Sequence, residues 1–186
     1  MRITGGQATG IRIETPPGVV RPAMDRMRES LFSILGELEG ASFLDLFSGS
    51  GVVALEAISR GARRATLVEK DRGKRATMQS NIESVLGSID FEPLLSLVTA
   101  PVERYLLRVR EEFDIVYLDP PFDYRHKSDL LQRLARSGAL TGESRVVIHY
   151  PGEETIEAGR LEVTDERRYG RSRLLFLRSP LQDGRG

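Results

Sequence analysis

The sequence predicts an α/β fold, with a mainly parallel sheet, helices on both of its faces and an antiparallel strand near the end of the chain. Three observations carry this expectation. Apolar runs of strand length, one starting at Ser42, others over Ala65–Glu69 and Leu94–Thr99, and one within Glu112–Phe122, alternate with stretches of helical periodicity. The first run leads into Gly49-Ser50-Gly51, a turn that lets a helix begin close to a sheet. The tail alternates Leu161 and Val163, turns at Tyr169-Gly170 and returns through Leu174-Leu175-Phe176-Leu177, which describes a closing antiparallel pair.

The elements follow in order. Met1–Gly6 and Gly10–Thr15 read as two short strands around a glycine-bearing loop, closed by Pro16-Pro17-Gly18. They form a β-hairpin extension over residues 1–20. Arg2 and Arg12 alternate with apolar residues on this ribbon, either as solvated charges or as contacts for a phosphate backbone. From Pro22 the pattern is helical, with Met24, Met27, Leu31, Ile34, Leu35 and Leu38 on the core stripe. Arg21, Arg26 and Arg28 fall off that stripe and are candidates for RNA or cofactor contact. A second helix follows Gly51 and runs through Arg60. The basic residues Arg60, Arg63, Arg64, Lys70, Arg72, Lys74 and Arg75 read as a solvated face. A helix over Arg72–Val85 precedes the strand at Leu94, and Ala100-Pro101-Val102 opens another. Leu130, Leu131, Leu134 and Leu140 outline a later helix, and Arg145–Tyr150 a further strand. His149 on that strand reads as structural, since no partner cluster is visible in the sequence. The main domain spans residues 21–180, and residues 181–186 read as a disordered tail.

Composition narrows the class of protein. A chain of 186 residues accommodates one sizeable core. The 27 Lys and Arg residues balance 27 Asp and Glu residues, so any surface for nucleic acid must be local. The sequence has no cysteine, which removes disulfides, thiolate nucleophiles and cysteine-bound zinc. No apolar run approaches the roughly 18 residues of a membrane span, and the amino terminus lacks a signal-peptide core. A soluble, cytoplasmic protein is expected.

Three carboxylates carry the chemistry. Ligands of such sheets bind beyond the carboxyl ends of the strands, where Asp45, Glu69 and Asp119 all fall. Taken alone, Gly49–Ala54 matches a dinucleotide fingerprint. Asp45 argues against it, because a carboxylate there repels a pyrophosphate and attracts the ammonium and sulfonium of S-adenosylmethionine. Glu69, about twenty residues past the glycines, suits a ribose hydroxyl of either cofactor. In Asp119-Pro120-Pro121-Phe122 the prolines fix the backbone and leave two preset acceptors, the Asp119 carboxylate and the Pro120 carbonyl, beside an aromatic ring. That arrangement suits a planar amine.

Asp45-Leu46-Phe47-Ser48-Gly49-Ser50-Gly51 resembles the cofactor loop of class I methyltransferases, and Asp119-Pro120-Pro121-Phe122 resembles the signature of enzymes that methylate amino nitrogens. With Arg2-Ile3-Thr4-Gly5-Gly6, the stretch Arg21–Glu29 and the closing Tyr169-Gly170, nearly the whole chain up to Pro180 resembles the bacterial RsmD family. The resemblance implies a Rossmann-like fold with a seven-stranded sheet. It implies methyl transfer from S-adenosylmethionine to the exocyclic N2 of a guanine in small-subunit 16S rRNA. The small basic hairpins and the balanced net charge add the expectation of a monomer acting on an assembled or assembling subunit.

The same resemblance implies a distribution of roles. Asp45, Phe47, Ser48, Gly49, Gly51 and Glu69 would hold the cofactor. Asp119, Pro120 and Phe122 would serve the target amine, and Arg2, Arg12, Arg21, Arg26, Tyr124 and Arg171 the RNA. Many relatives carry an acidic residue after the third strand to hold adenine; Ala100-Pro101 stands there instead, which leaves the Val102 backbone or Glu103 for that role. The competing readings are amino-methylation of another RNA, of DNA or of a protein glutamine, an NAD-dependent oxidoreductase, and a non-catalytic RNA-binding module.

Overall fold

The computed structural model describes residues 1–15 and 24–179. The expected Pro16-Pro17-Gly18 closure, Arg21 and the tail at 181–186 lie outside the described residues. Seven strands form one sheet: β1 (Ser42–Leu46), β2 (Arg64–Glu69), β3 (Leu94–Thr99), β4 (Phe113–Leu118), β5 (Leu140–Pro151), β6 (Glu162–Tyr169) and β7 (Ser172–Arg178). Their order across the sheet is β3-β2-β1-β4-β5-β7-β6. The first five run parallel, and β7 inserts antiparallel between β5 and β6. The helices are α1 (Met24–Leu35), α2 (Val52–Ser59), α3 (Arg75–Leu86), α4 (Val102–Leu106) and α5 (Lys127–Ala135).

Burial follows from this order. All five residues of the central strand β1 are buried, as a parallel strand covered on both faces requires. Period-two alternation distributes neighbouring side chains to opposite layers. Phe43, Ile115 and Tyr117 join α1, α2 and α3, whereas Leu44, Leu46, Val116 and Leu118 join α4 and α5. The chain crosses from one nucleotide-type half to the other between β1 and β4. A crevice at the carboxyl ends of those strands is the expected ligand position.

Several local expectations are corrected. The amino-terminal segment makes a single antiparallel bridge, Arg2 to Arg12, where two strands were expected. It is no loose appendage, because Ile3, Ala8 and Ile13 enter the main core. Arg28 is fully buried, its Nε 2.7 Å from Glu56 and its guanidinium also donating to the Arg2 carbonyl. Arg60, expected on a solvated face, joins the same Glu56 at 2.9 Å and lies over the Phe32 ring. The sequence hides this because Glu56 sits in a helix whose every residue is buried; an unpaired charge there would be costly, so it recruits two guanidinium groups. Ile34 is 38% exposed, near the end of α1 before Gly36 turns with φ 71°. Leu140 belongs to β5, since α5 stops at Ala135 and Ser137-Gly138 intervenes before the strand.

Candidate active site

The turn after β1 is held by backbone. Phe47 adopts φ 65°, a conformation that bulky side chains rarely take, and Gly51 adopts φ 79° at the start of α2. The Phe47 and Ser48 amides both donate to the Val68 carbonyl on β2, at 3.0 and 3.1 Å. An added Cβ at Gly51 would stand 2.8 Å from a Leu67 methyl, so only glycine lets α2 approach the sheet this closely. Asp45 accepts the Ala54 amide at 3.3 Å, and the Ser48 hydroxyl bonds the Asp45 carbonyl at 2.7 Å. Glu69 accepts the Gly49 amide at 3.1 Å and pairs with Lys74 at 3.2 Å. The ends of β1 and β2 are thereby locked to each other.

Burial pushes the Asp45 carboxyl from an ordinary 3.8 up to about 8, and the charges of Asp119 and Glu69 add to the effect. The same surroundings, burial first, raise the phenol of Tyr117. This end of the sheet carries more negative charge than its own partners neutralise.

The turn after β4 is held by side chains from elsewhere in the chain. The Asp119 amide donates to the Leu46 carbonyl at 3.1 Å, and the Tyr124 amide closes a turn on the Pro121 carbonyl at 2.9 Å. His149, at the end of β5, places Nδ1 2.8 Å from Asp119 Oδ1. Lys127 is buried, and its ammonium donates to the Phe122 carbonyl at 3.0 Å, the Tyr124 carbonyl at 2.6 Å and Glu154 at 3.0 Å. Neither His149 nor Lys127 was singled out from the sequence as a site residue. The signal that could have found His149 is register: Leu118 pairs with Ile148, so the next residue of each strand lies side by side.

Both turns open on one cavity of about 430 Å³. It brings together Asp45, Phe47, Ser48, Gly49 and Glu69 with Asp119, Pro120 and Phe122, and Met1 and Thr15 add a wall from the amino-terminal segment. Other candidates lie elsewhere. Gly51 sits behind the lining as the cap of α2. Val102 is packed into the core beside α5, and Tyr124 packs edge-on against Phe47 while its hydroxyl bonds Glu103 at 2.6 Å. Arg2, Arg12, Arg26 and Arg171 are exposed and line no part of the cavity.

The residues present fit a cationic adenosine cofactor. Asp45 and Glu69 stand in a largely apolar cleft, and a cation placed there favours the ionised Asp45 that burial, with the nearby charges of Asp119 and Glu69, disfavours. A pyrophosphate would meet both carboxylates.

A family model described as conserved hypothetical protein 95 matches residues 1–178. The chain belongs to that family, the RsmD family of methyltransferases. Ribosomal RNA small subunit methyltransferase D of Escherichia coli K12 is 33% identical over 162 residues, covering 86% of this chain and 77% of that protein. A solved Escherichia coli chain, yhhF, superimposes with a TM-score of 0.82 at 30% identity, covering 98% of this chain and 99% of its own. A hypothetical protein of Thermus thermophilus does so with a TM-score of 0.81 at 29% identity, covering 96% of this chain and 99% of its own. The family membership spans both turns and the closing hairpin alike.

Proposed function

We propose that this chain transfers a methyl group from S-adenosylmethionine to the exocyclic N2 of a guanine in small-subunit 16S rRNA. The observation that carries the reading is the convergence, in one cavity, of a carboxylate-bearing cofactor turn and a rigid pair of amine acceptors. When bound, the cofactor supplies an electrophilic methyl on a sulfonium centre. Asp45 would hold its ammonium and Glu69 its ribose hydroxyls, with Phe47 beside them on the cavity wall.

An aromatic amine is a weak nucleophile, because its lone pair is delocalised into the ring. Asp119 and the Pro120 carbonyl accept its two hydrogens and direct the lone pair out of the ring plane. Their positions are fixed before substrate arrives, so little reorganisation accompanies the charge that develops on nitrogen. Asp119 then accepts the proton that the alkylated nitrogen loses. Phe122 stacks on the base, which leaves its own stack to enter the cleft, a contact worth about 1 to 3 kcal/mol.

Residues 21–180 form the catalytic unit in this reading, and the segment over 1–20 presents Arg2 and Arg12 to the RNA with Arg26 and Arg171. The small size of these arginine-bearing segments and the zero formal net charge of the chain favour a prefolded ribosomal particle as substrate, met in the cytoplasm by a monomer. The test is transfer of labelled methyl to unmodified small subunits and, in parallel, to the same RNA stripped of protein, with the modified base identified. Label on guanine N2 in the particle is the expected result. Label on adenine or cytosine, or on neither substrate despite cofactor binding, overturns the reading.

A further inference from the structure

His149 has no place in the chemistry described so far, yet it touches both halves of the acceptor turn. Its Nδ1 lies 2.8 Å from Asp119 Oδ1, and its ring stands 5.4 Å from the Phe122 ring at an interplanar angle of 66°. We propose that His149 is a positioning residue for the methyl transfer, fixing the Asp119 carboxylate and the Phe122 ring relative to one another. The proposal rests on the methyltransferase reading above and deepens it.

The geometry follows from the sheet. β4 and β5 run parallel with Leu118 opposite Ile148, which sets Asp119 and His149 abreast at the rim. His149 is held from its other side as well, where it pairs with Leu174 on β7. Its side chain is only 4% exposed against 26% for Asp119, so the imidazole forms the rigid floor and the carboxylate the accessible edge. An ionised carboxylate accepts only, so Nδ1 carries the hydrogen and donates it to Oδ1. One carboxylate oxygen is thereby engaged, and the other remains for the amine. Free rotation of the Asp119 carboxylate would spread its acceptor lone pairs over directions in which the amine cannot meet both Oδ2 and the Pro120 carbonyl.

A purely structural residue fits this position poorly. Among the described residues Nε2 is buried with no hydrogen-bond partner. An unpartnered buried nitrogen costs stability, and a leucine of similar reach would avoid the cost. The imidazole is explained by what its opposite edge does for Asp119. Lys127 holds the carbonyls downstream of the same turn, so the two side chains act on different parts of it. His149 orients the reacting group, and Lys127 the backbone that follows.

The test compares His149→Leu with His149→Asn, whose amide nitrogen replaces the Nδ1–H donor. In single-turnover methyl transfer to small subunits, His149→Leu should lower the transfer rate constant by about tenfold or more, as misplacement of a reacting group does, with cofactor Kd unchanged. His149→Asn should recover most of that loss whatever its melting temperature. Nitrogen NMR of labelled histidine in the free wild-type protein should show His149 as the Nδ1–H form, shifted by Asp119→Ala. Equal transfer rate constants in His149→Leu and wild type overturn the proposal, as does a parallel fall of that rate constant and of melting temperature in both variants. A His149 protonated on Nε2 alone overturns it without reference to activity. Absence of transfer by the wild type, with the NMR signature present, instead overturns the methyltransferase reading beneath it.

Discussion

The turns at the ends of β1 and β4 face the same cavity and differ in the balance of backbone and side-chain contacts that holds them. The first is fixed by its own backbone: left-handed residues at Phe47, Gly49 and Gly51, and amides that bond the Val68 carbonyl on the neighbouring strand. The second is fixed by its prolines and by two side chains, His149 and Lys127, brought from 30 and 5 residues away. The difference suits what each turn handles in the proposed reaction. A cofactor bound through many contacts needs a shaped cradle. A reacting amine needs two acceptors held to within a fraction of an ångström, which requires support from outside the turn.

The largest expected effect is on the second turn. Asp119→Ala should lower the rate of transfer about 100-fold to 1000-fold, the loss found when one preorganised partner of a transition-state charge is removed. Single-turnover kinetics with saturating cofactor measures it. Lys127→Met removes the donor of two carbonyls and the partner of Glu154. Because Glu154 is partly exposed, the expected destabilisation is about 2 kcal/mol, read by urea unfolding, with a fall in transfer as Phe122 loosens.

The first turn should answer to pH instead. Asp45 moves from an ordinary 3.8 to about 8 in the folded chain, so between those values the folded protein holds a proton that the unfolded chain has released. Stability of the ligand-free protein should therefore fall as pH rises from 5 toward about 8 and flatten above it. Affinity for the cationic cofactor should rise over the same window, by up to about tenfold per pH unit, because binding favours ionised Asp45. Asp45→Asn should abolish both slopes, as calorimetry at several pH values would show. The smallest effect is at the surface. Arg171→Glu should reduce the salt slope of RNA binding by about one and leave transfer to bound RNA unchanged; an unaltered slope removes Arg171 from the interface.

Both turns were legible in the sequence as motifs, but what holds the second was not. Asp45, Gly49 and Glu69 were readable because strand, glycines and acidic residue lie within one βα unit and the start of the next, where spacing implies proximity, and Phe47 and Ser48 through the resemblance of that loop to the methyltransferase cofactor turn. Asp119-Pro120-Pro121-Phe122 was equally visible as a motif. Its supports were not, since His149 acts through the register between β4 and β5, and Lys127 looks like any lysine at a helix start until the fold buries it. Arg28 and Glu56 were hidden for the same reason: a buried ion pair joining residues 28 positions apart leaves no periodic trace. The mainly parallel sheet with its antiparallel closing strand was anticipated and its strand order was not, whereas the single bridge at Arg2 and Arg12 shows that alternating residues can pack onto a core without forming strands.

The division of labour between the two turns is tested most directly by measuring cofactor affinity and single-turnover methyl transfer on Asp45→Asn and Asp119→Ala in parallel, at a pH near 8. The expected pattern is crossed: Asp45→Asn loses affinity and keeps transfer once saturated, whereas Asp119→Ala keeps affinity within about threefold and loses transfer. Equal loss of both quantities in both variants would contradict it.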